Sequence, residues 1–184
     1  MMHPLPSVFL MELDIPEGFV TQLNEYLDGL LEQEGRRTAA DTLVGQIREG
    51  EQLRMDCDNA LVAGFSGFVR SMGVEYINAF MKGSGQVLDG NRNVEIDDLW
   101  SVHSYAGDYN PIHDHGTKTI MGISCTTWTK VPPQIEQGPR PGSEDYGLYN
   151  ASGESDGCLC FNYGQSSQWD KERLKPTQNI VVRP

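Results

Sequence analysis

The sequence predicts an α+β fold, with helices in the first half of the chain and strands in the second. Apolar residues recur with helical spacing before residue 82, and from Val94 onward they alternate along extended segments. Helices that precede a run of strands are typical of folds in which helices cover one face of a β core. At 184 residues the chain fits one domain, residues 1–184, with helical support over about 14–82 and a β core over about 94–184.

The composition and the distribution of charged, apolar and cysteine residues argue against some partners and locations. A formal net charge of -12 disfavours binding to nucleic acid or to an anionic membrane surface. The first residues lack the basic and apolar regions of a signal peptide, and no apolar run is long enough to span a bilayer. The four cysteines show no disulfide framework. We therefore expect a cytoplasmic protein in a reducing compartment.

The first half of the chain contains one predicted strand and two predicted helices. Residues 7–13 form the expected strand, and Asp14 is the expected N-cap of a helix that Gly35 ends. The apolar stripe of this helix is expected to pack on a sheet. Residues 36–56 are predicted to be a loop. A second helix is predicted over about 58–81, although its glycines weaken helical propensity.

Four strands are predicted in the second half. The first runs over 94–105, and the second covers 117–131, which is rich in Thr, Ile and Trp. Residues 157–163 and 179–183 provide the third and fourth strands. Residues 134–157 lack apolar periodicity, and a loop of this length is either a lid over a functional site or a disordered insertion.

The candidate metal site is His113, Asp114 and His115, which follow a turn formed by residues 107–111. Alternate side chains of a strand face the same way, so the two imidazoles are expected to converge on one point. Imidazole ligands suit iron, zinc, copper or nickel alike. In a regular strand the side chain of Asp114 faces away from the two imidazoles. The favoured interpretation of Asp114 is a turn residue that bonds its own backbone. It becomes a further ligand only where the backbone is irregular.

Other polar residues have simpler interpretations. His103 shares a predicted strand face with Tyr105 and could reach the same metal, but a hydrogen-bonded strand histidine is favoured. Cys158 and Cys160 share one strand face and would need two more ligands to hold zinc, so small buried residues are favoured. The sequence contains neither a phosphate-binding glycine loop nor a nucleophile elbow.

Five segments that together span most of the chain carry a resemblance: 43–47, 98–102, 107–115, 128–133 and 157–164. They resemble a known family, the 2-oxoglutarate/Fe(II)-dependent oxygenases of bacteria and of phages of marine bacteria. The resemblance implies a double-stranded β-helix, a cupin-like jelly roll, with N-terminal helices packed on one sheet. It also implies hydroxylation of a substrate with Fe(II) as the metal and 2-oxoglutarate as a small-molecule cosubstrate.

In that family an H-x-D/E or H-x-H pair and a distal histidine hold the iron, and a basic residue beyond them binds 2-oxoglutarate. Carried over to this chain, His113 is the first ligand, and His115 stands where a carboxylate is usual. No histidine follows His115, and Arg183 precedes the position of the cosubstrate arginine. The β-helix is therefore expected to be incomplete at its C-terminus. An unpaired sheet edge would result, which favours a homodimer. Three alternatives stay open: the sequence is a truncated version, the third ligand comes from elsewhere in the chain, or the chain does not bind iron productively.

Two other functions stay open. A non-catalytic β-barrel module would bind a metal or small ligand without turnover. An interaction domain would pair its exposed sheet edge with a partner or a second copy and would need no metal. The sequence does not identify a substrate.

Overall fold

The structure is a computed structural model that describes residues 9–83, 93–111, 113, 122–136, 157–163, 178–182 and 184. The chain divides into two compact units, Met1–Cys125 and Thr126–Pro184. The first unit contains α1 (Glu17–Glu32), β1 (Glu51–Arg54), α2 (Ala60–Gly83) and β2 (Trp100–His103). The second unit contains α3 (Pro133–Glu136), β3 (Leu159–Tyr163) and β4 (Gln178–Val182).

Helix α1 begins one residue after Pro16 and buries one apolar stripe. Proline suits a helix start because its φ is fixed and it has no N–H to leave unpaired. Pro16 is the N-cap and no side chain caps the helix, so the predicted cap at Asp14 is wrong. The helix ends at Glu32, and Gly35 follows with a left-handed φ of 71°. The buried stripe consists of Leu23, Leu27 and Leu30.

The core of the first unit lies between the two long helices. Leu23 of α1 and Val62 and Phe65 of α2 form its buried cluster. Helix α2 covers nearly the predicted range, so this prediction is confirmed. The sequence predicts that the stripe of α1 packs on a sheet, whereas it packs mainly against α2. Met55 and Leu99, which adjoin β1 and β2, complete the edge of the cluster.

Strand β1 lies in a segment predicted to be a loop, so that prediction is wrong. Its four residues include one apolar side chain, Leu53, and therefore show no alternating pattern. Pairing with β2 is antiparallel and matches Glu51 with His103. On the opposite edge, the N–H of Ala39 donates to the carbonyl of Gln52 at 2.8 Å. The strand is thus fixed by its two neighbours rather than by local sequence preference.

Three predicted strands are absent or shorter in the described residues. Residues 9–13 are not a strand, and Phe9 instead packs edge to face on Phe80 with ring centroids 5.2 Å apart. The strand predicted over 94–105 is confined to β2. Residues 122–131 are also not a strand, while 117–121 lie outside the described part of the chain.

The second unit contains a hairpin-like pair of strands. β3 and β4 are antiparallel, with Leu159 opposite Val182, and both confirm predicted strands. The short helix α3 begins at Pro133, a position that suits proline. The indole N–H of Trp128 donates to the carbonyl of Gly157 at 3.1 Å. Most of the long segment predicted as a lid or insertion, residues 137–156, lies outside the described residues.

The double-stranded β-helix stays a prediction, because the described strands form two separate two-stranded sheets. The cysteine interpretation is wrong for Cys160, which is exposed, while Cys158 is half-buried. Within the described residues, no helix has the length and apolar character needed to cross a membrane.

Two glycines of α2 provide a matched test of helix packing. Gly67 faces open space, whereas a Cβ at Gly64 would lie 3.0 Å from the ring of Phe19. Gly67→Ala should raise the free energy of unfolding by about 0.5–1 kcal/mol, because alanine loses less backbone entropy than glycine. Gly64→Ala should raise the free energy of unfolding by less than Gly67→Ala does, or should lower it, because the Phe19 ring must move to make room for the new methyl group. Urea denaturation measures both, and equal gains would contradict this packing.

Candidate functional site

His113 is the member of the candidate metal site that the structure describes; Asp114 and His115 lie outside the described residues. The side chain of His113 is exposed, and its Nδ1 lies 2.7 Å from the carbonyl oxygen of Pro111. A carbonyl oxygen only accepts hydrogen bonds, so Nδ1 carries the proton in this contact. The neutral ring therefore has its lone pair on Nε2, the atom through which it would bind a metal.

The loop before His113 begins with a tight turn. The N–H of Asp108 donates to the carbonyl of Tyr105 at 3.0 Å. Gly107, the third residue of this turn, has a φ of 92°. A positive φ at this position is typical of a type II turn and favours glycine. The observed turn spans 105–108 and so overlaps the predicted turn at 107–111 only in Gly107 and Asp108. Beyond it the chain continues in the direction of β2, since Tyr109 pairs antiparallel with Gln46 as His103 does with Glu51.

The carboxylate of Asp108 joins this loop to a distant one. It accepts hydrogen bonds from four backbone N–H groups, one from its own loop and three from residues 48–50. One oxygen, Oδ1, accepts from Arg48 at 2.6 Å and Glu49 at 3.2 Å. The other, Oδ2, accepts from Gly50 at 3.1 Å and Tyr105 at 2.9 Å. We call Asp108 and these four N–H groups the Asp108 cluster.

The Asp108 cluster favours the ionised carboxylate. The N–H groups of Arg48 and Tyr105 contribute most to holding the pKa of Asp108 below its usual value, and partial burial opposes them. Hydrogen bonds to a charged acceptor are stronger than those between neutral groups. The negative charge therefore holds the two loops together.

Backbone contacts extend the junction between the loops. The N–H of Gln46 donates to the carbonyl of Tyr109 at 2.6 Å, and the N–H of Tyr109 donates back at 3.3 Å. At Gly50, any Cβ would overlap the carbonyl oxygen of His103, so a side chain is excluded there. The loop that precedes His113 is thus fixed at two successive residues, Asp108 and Tyr109.

His103 is used within the sheet. Its Nε2 lies 3.0 Å from the hydroxyl oxygen of Ser101, and the residue pairs with Glu51 across the two strands. Arg36 binds both carboxylate oxygens of Glu51. Hydrogen bonding to Arg36 lowers the pKa of Glu51, and the charges of Arg36 and His103 act in the same direction. The favoured interpretation of His103 as a hydrogen-bonded strand histidine agrees with these contacts.

A small polar groove adjoins the Asp108 cluster. Its cavity volume is about 170 Å³, and its lining includes Gly45, Gly50 and Gln52. Ligand pockets usually enclose roughly 300–1,000 Å³. The groove can hold water or a very small molecule and does not by itself indicate a ligand.

Metal and thiol chemistry elsewhere has little support in the described part of the chain. No group of three or more His, Cys, Asp or Glu side chains is gathered there in a way that could hold a metal ion. Burial raises the pKa of the Cys57 thiol, which opposes formation of a nucleophilic thiolate.

The sequence signals the turn at Asp108 but not the role of its carboxylate. Asp and Asn are common turn residues, so Asp108 is accounted for by local hydrogen bonding alone. Its three partners at residues 48–50 lie about sixty positions earlier in the chain. No spacing rule links two loops so far apart, and only the folded chain shows that they meet.

Comparison with known proteins finds no relative: no family model, no curated protein and no solved structure matches the chain. The resemblance to 2-oxoglutarate/Fe(II)-dependent oxygenases therefore stays a prediction based on the residues that carry it.

The depressed pKa of Asp108 predicts acid-sensitive stability. Its stabilising contribution is complete above the pKa of the unfolded state, about 3.9, and is lost as pH falls through the lower folded-state value. Wild type should exceed Asp108→Asn in stability at pH 6, and the gap should narrow below about pH 4. Urea denaturation of both proteins between pH 6 and pH 3 measures this. A gap that is constant with pH would contradict the role given to the charge.

Proposed function

We propose that the chain is a 2-oxoglutarate/Fe(II)-dependent oxygenase in which His113 is a metal ligand. The observation that carries the proposal is the hydrogen bond between Nδ1 of His113 and the carbonyl oxygen of Pro111. A metal-binding histidine usually donates a hydrogen bond from the N–H of its other ring nitrogen to a carboxylate, a backbone carbonyl or water. This hydrogen bond fixes the tautomer. The contact at Pro111 is of that kind.

The described residues fit this role in two further respects. The imidazole of His113 is exposed, so a solvated ion can reach it. Its loop is fixed by the Asp108 cluster and by the paired backbone bonds of Gln46 and Tyr109. A ligand on a fixed loop loses less conformational freedom when it binds a metal.

Asp114 and His115 enter the proposal from the sequence alone. His115 is the expected second ligand, and Asp114 is a further ligand or a turn residue. Iron, when bound with 2-oxoglutarate, supplies the activation of O₂ that hydroxylation requires. The role of this chain's own residues is narrower: His113 offers Nε2 to the metal, and Pro111 holds the proton on Nδ1.

A homodimer and a cytoplasmic location also stay predictions. Among the described strands, β2 pairs with β1 alone, and Val102 of β2 is an exposed apolar residue. Sedimentation of the purified protein at several concentrations measures the association.

The metal proposal predicts that single histidine variants lose affinity for Fe(II). His113→Ala and His115→Ala should each weaken anaerobic Fe(II) binding by at least about tenfold, because even outer partners of a metal site are worth that much. His3→Ala is the matched control, since it removes a histidine outside the motif. Asp114→Ala separates its two interpretations, because only a ligand would lower the affinity.

Succinate formation from 2-oxoglutarate tests the activity itself. Fe(II)-dependent succinate formation that His113→Ala abolishes is the expected result. Fe(II) binding at His113 and His115 without succinate would instead favour a non-catalytic metal-binding module. Fe(II) affinity that is unchanged in both histidine variants would refute the metal site altogether.

A further inference from the structure

The Asp108 cluster lies close to His113 in sequence and has no chemistry of its own in the proposed function. Its carboxylate is half-buried and fully used by backbone N–H groups, so it is not a metal ligand in this arrangement. A carboxylate that accepts hydrogen bonds only from backbone N–H groups fixes the backbone segments to which those groups belong.

The path from Asp108 to Pro111 has little freedom. Tyr109 is bonded in both directions to Gln46. Asn110 precedes a proline and is restricted to extended conformations, and the φ of Pro111 is fixed by its ring. The ring of His113 then bonds back to the carbonyl of Pro111. A displacement at Asp108 is therefore passed along to Pro111, whose carbonyl contacts the imidazole.

The pattern of bonds makes the charge essential. Each oxygen of Asp108 accepts two N–H groups. An asparagine amide has one accepting oxygen, and its NH₂ group would face two backbone donors in either orientation. Asparagine has nearly the shape of aspartate, so Asp108→Asn opens the cluster with little change in volume.

We infer that Asp108 is a positioning residue for His113, which it orients for metal binding by tying the 104–111 loop to residues 48–50. This inference rests on the proposed function for its purpose, but the orientation of the ring is measurable without any metal. The residue acts through Tyr109, Asn110 and Pro111 and touches neither metal nor substrate.

Two readouts on Asp108→Asn test the inference. Long-range ¹H–¹⁵N correlation spectra of the histidine rings report the tautomer. In its neutral form, His113 of wild type should be a single Nδ1–H tautomer, and Asp108→Asn should show a mixture. Anaerobic Co(II) titration should show a loss of affinity of about tenfold, the scale of outer partners of a metal site.

Asp98→Asn is the matched control. It makes the same change of charge and removes a carboxylate that accepts from Arg54 at 2.8 Å, away from the loop of His113. It should leave both the tautomer and the Co(II) affinity as in wild type. Equal effects of Asp98→Asn and Asp108→Asn would assign the result to general charge and overturn the inference.

A second variant tests the positioning role of Asp108 if Asp108→Asn does not fold. Two glycines inserted between Asn110 and Pro111 leave every bond of the Asp108 cluster in place but separate the cluster from His113. Surface loops tolerate short insertions at small thermodynamic cost. The insertion should reproduce the mixed tautomer and the weaker Co(II) binding, and wild-type values for both would overturn the inference.

The two proposals fail in different ways. If wild type binds no Co(II) but the tautomer of His113 responds to Asp108→Asn, the metal function fails and the positioning role stands. If Co(II) binds through His113 and neither variant changes its affinity or the ring tautomer, the positioning role fails and the metal function stands.

Discussion

The charge of Asp108 holds together two loops that are about sixty residues apart in the chain. Closing so long a loop costs conformational entropy, and a single neutral hydrogen bond offsets little of it. Four N–H groups on one carboxylate, with the paired bonds of Gln46 and Tyr109, fix the two loops at several points. The position of His113 depends on this junction.

The junction in turn depends on the helical core of the first unit. Leu23, Val62 and Phe65 join α1 to α2, and Met55 and Leu99 pack on the edge of that cluster. The N–H of Met55 also donates to the carbonyl of Leu99 at 2.9 Å, directly beside the two strands. Burial of apolar side chains thus fixes the register of β1 and β2. That register places residues 48–50 and 104–111, which flank the two strands, within reach of each other.

Arg54 strengthens the same sheet from its surface. Its guanidinium binds Asp98 at 2.8 Å and the hydroxyl of Thr42 at 3.0 Å. These contacts join β1 to segments on both sides. Exposed ion pairs individually contribute little to the free energy of unfolding. These contacts therefore add to a strand pairing that the apolar core already fixes.

The sequence predicts elements whose stability is local and misses those that depend on distant partners. The apolar stripe of α2 and the alternation in β3 are enough to identify both elements from the order of residues alone. Strand β1 carries no such pattern, since pairing with β2 and with residue 39 creates it. The sequence places His113 after a turn at 107–111, whereas the observed turn lies at 105–108 and shares only Gly107 and Asp108 with it. The partners of Asp108 could not be foreseen, because turn preference alone accounts for an aspartate there.

The metal chemistry proposed for this chain requires that Pro111 hold the proton on Nδ1 of His113 so that Nε2 binds the metal. The most direct measurement is proton NMR of the Co(II)-loaded protein, in which ring protons near the paramagnetic ion shift far outside the usual range. We expect a strongly shifted, solvent-exchangeable ring N–H that is assigned to Nδ1 of His113 and is missing in His113→Ala. A Co(II)-loaded protein whose shifted exchangeable ring protons all persist in His113→Ala would contradict this role of His113.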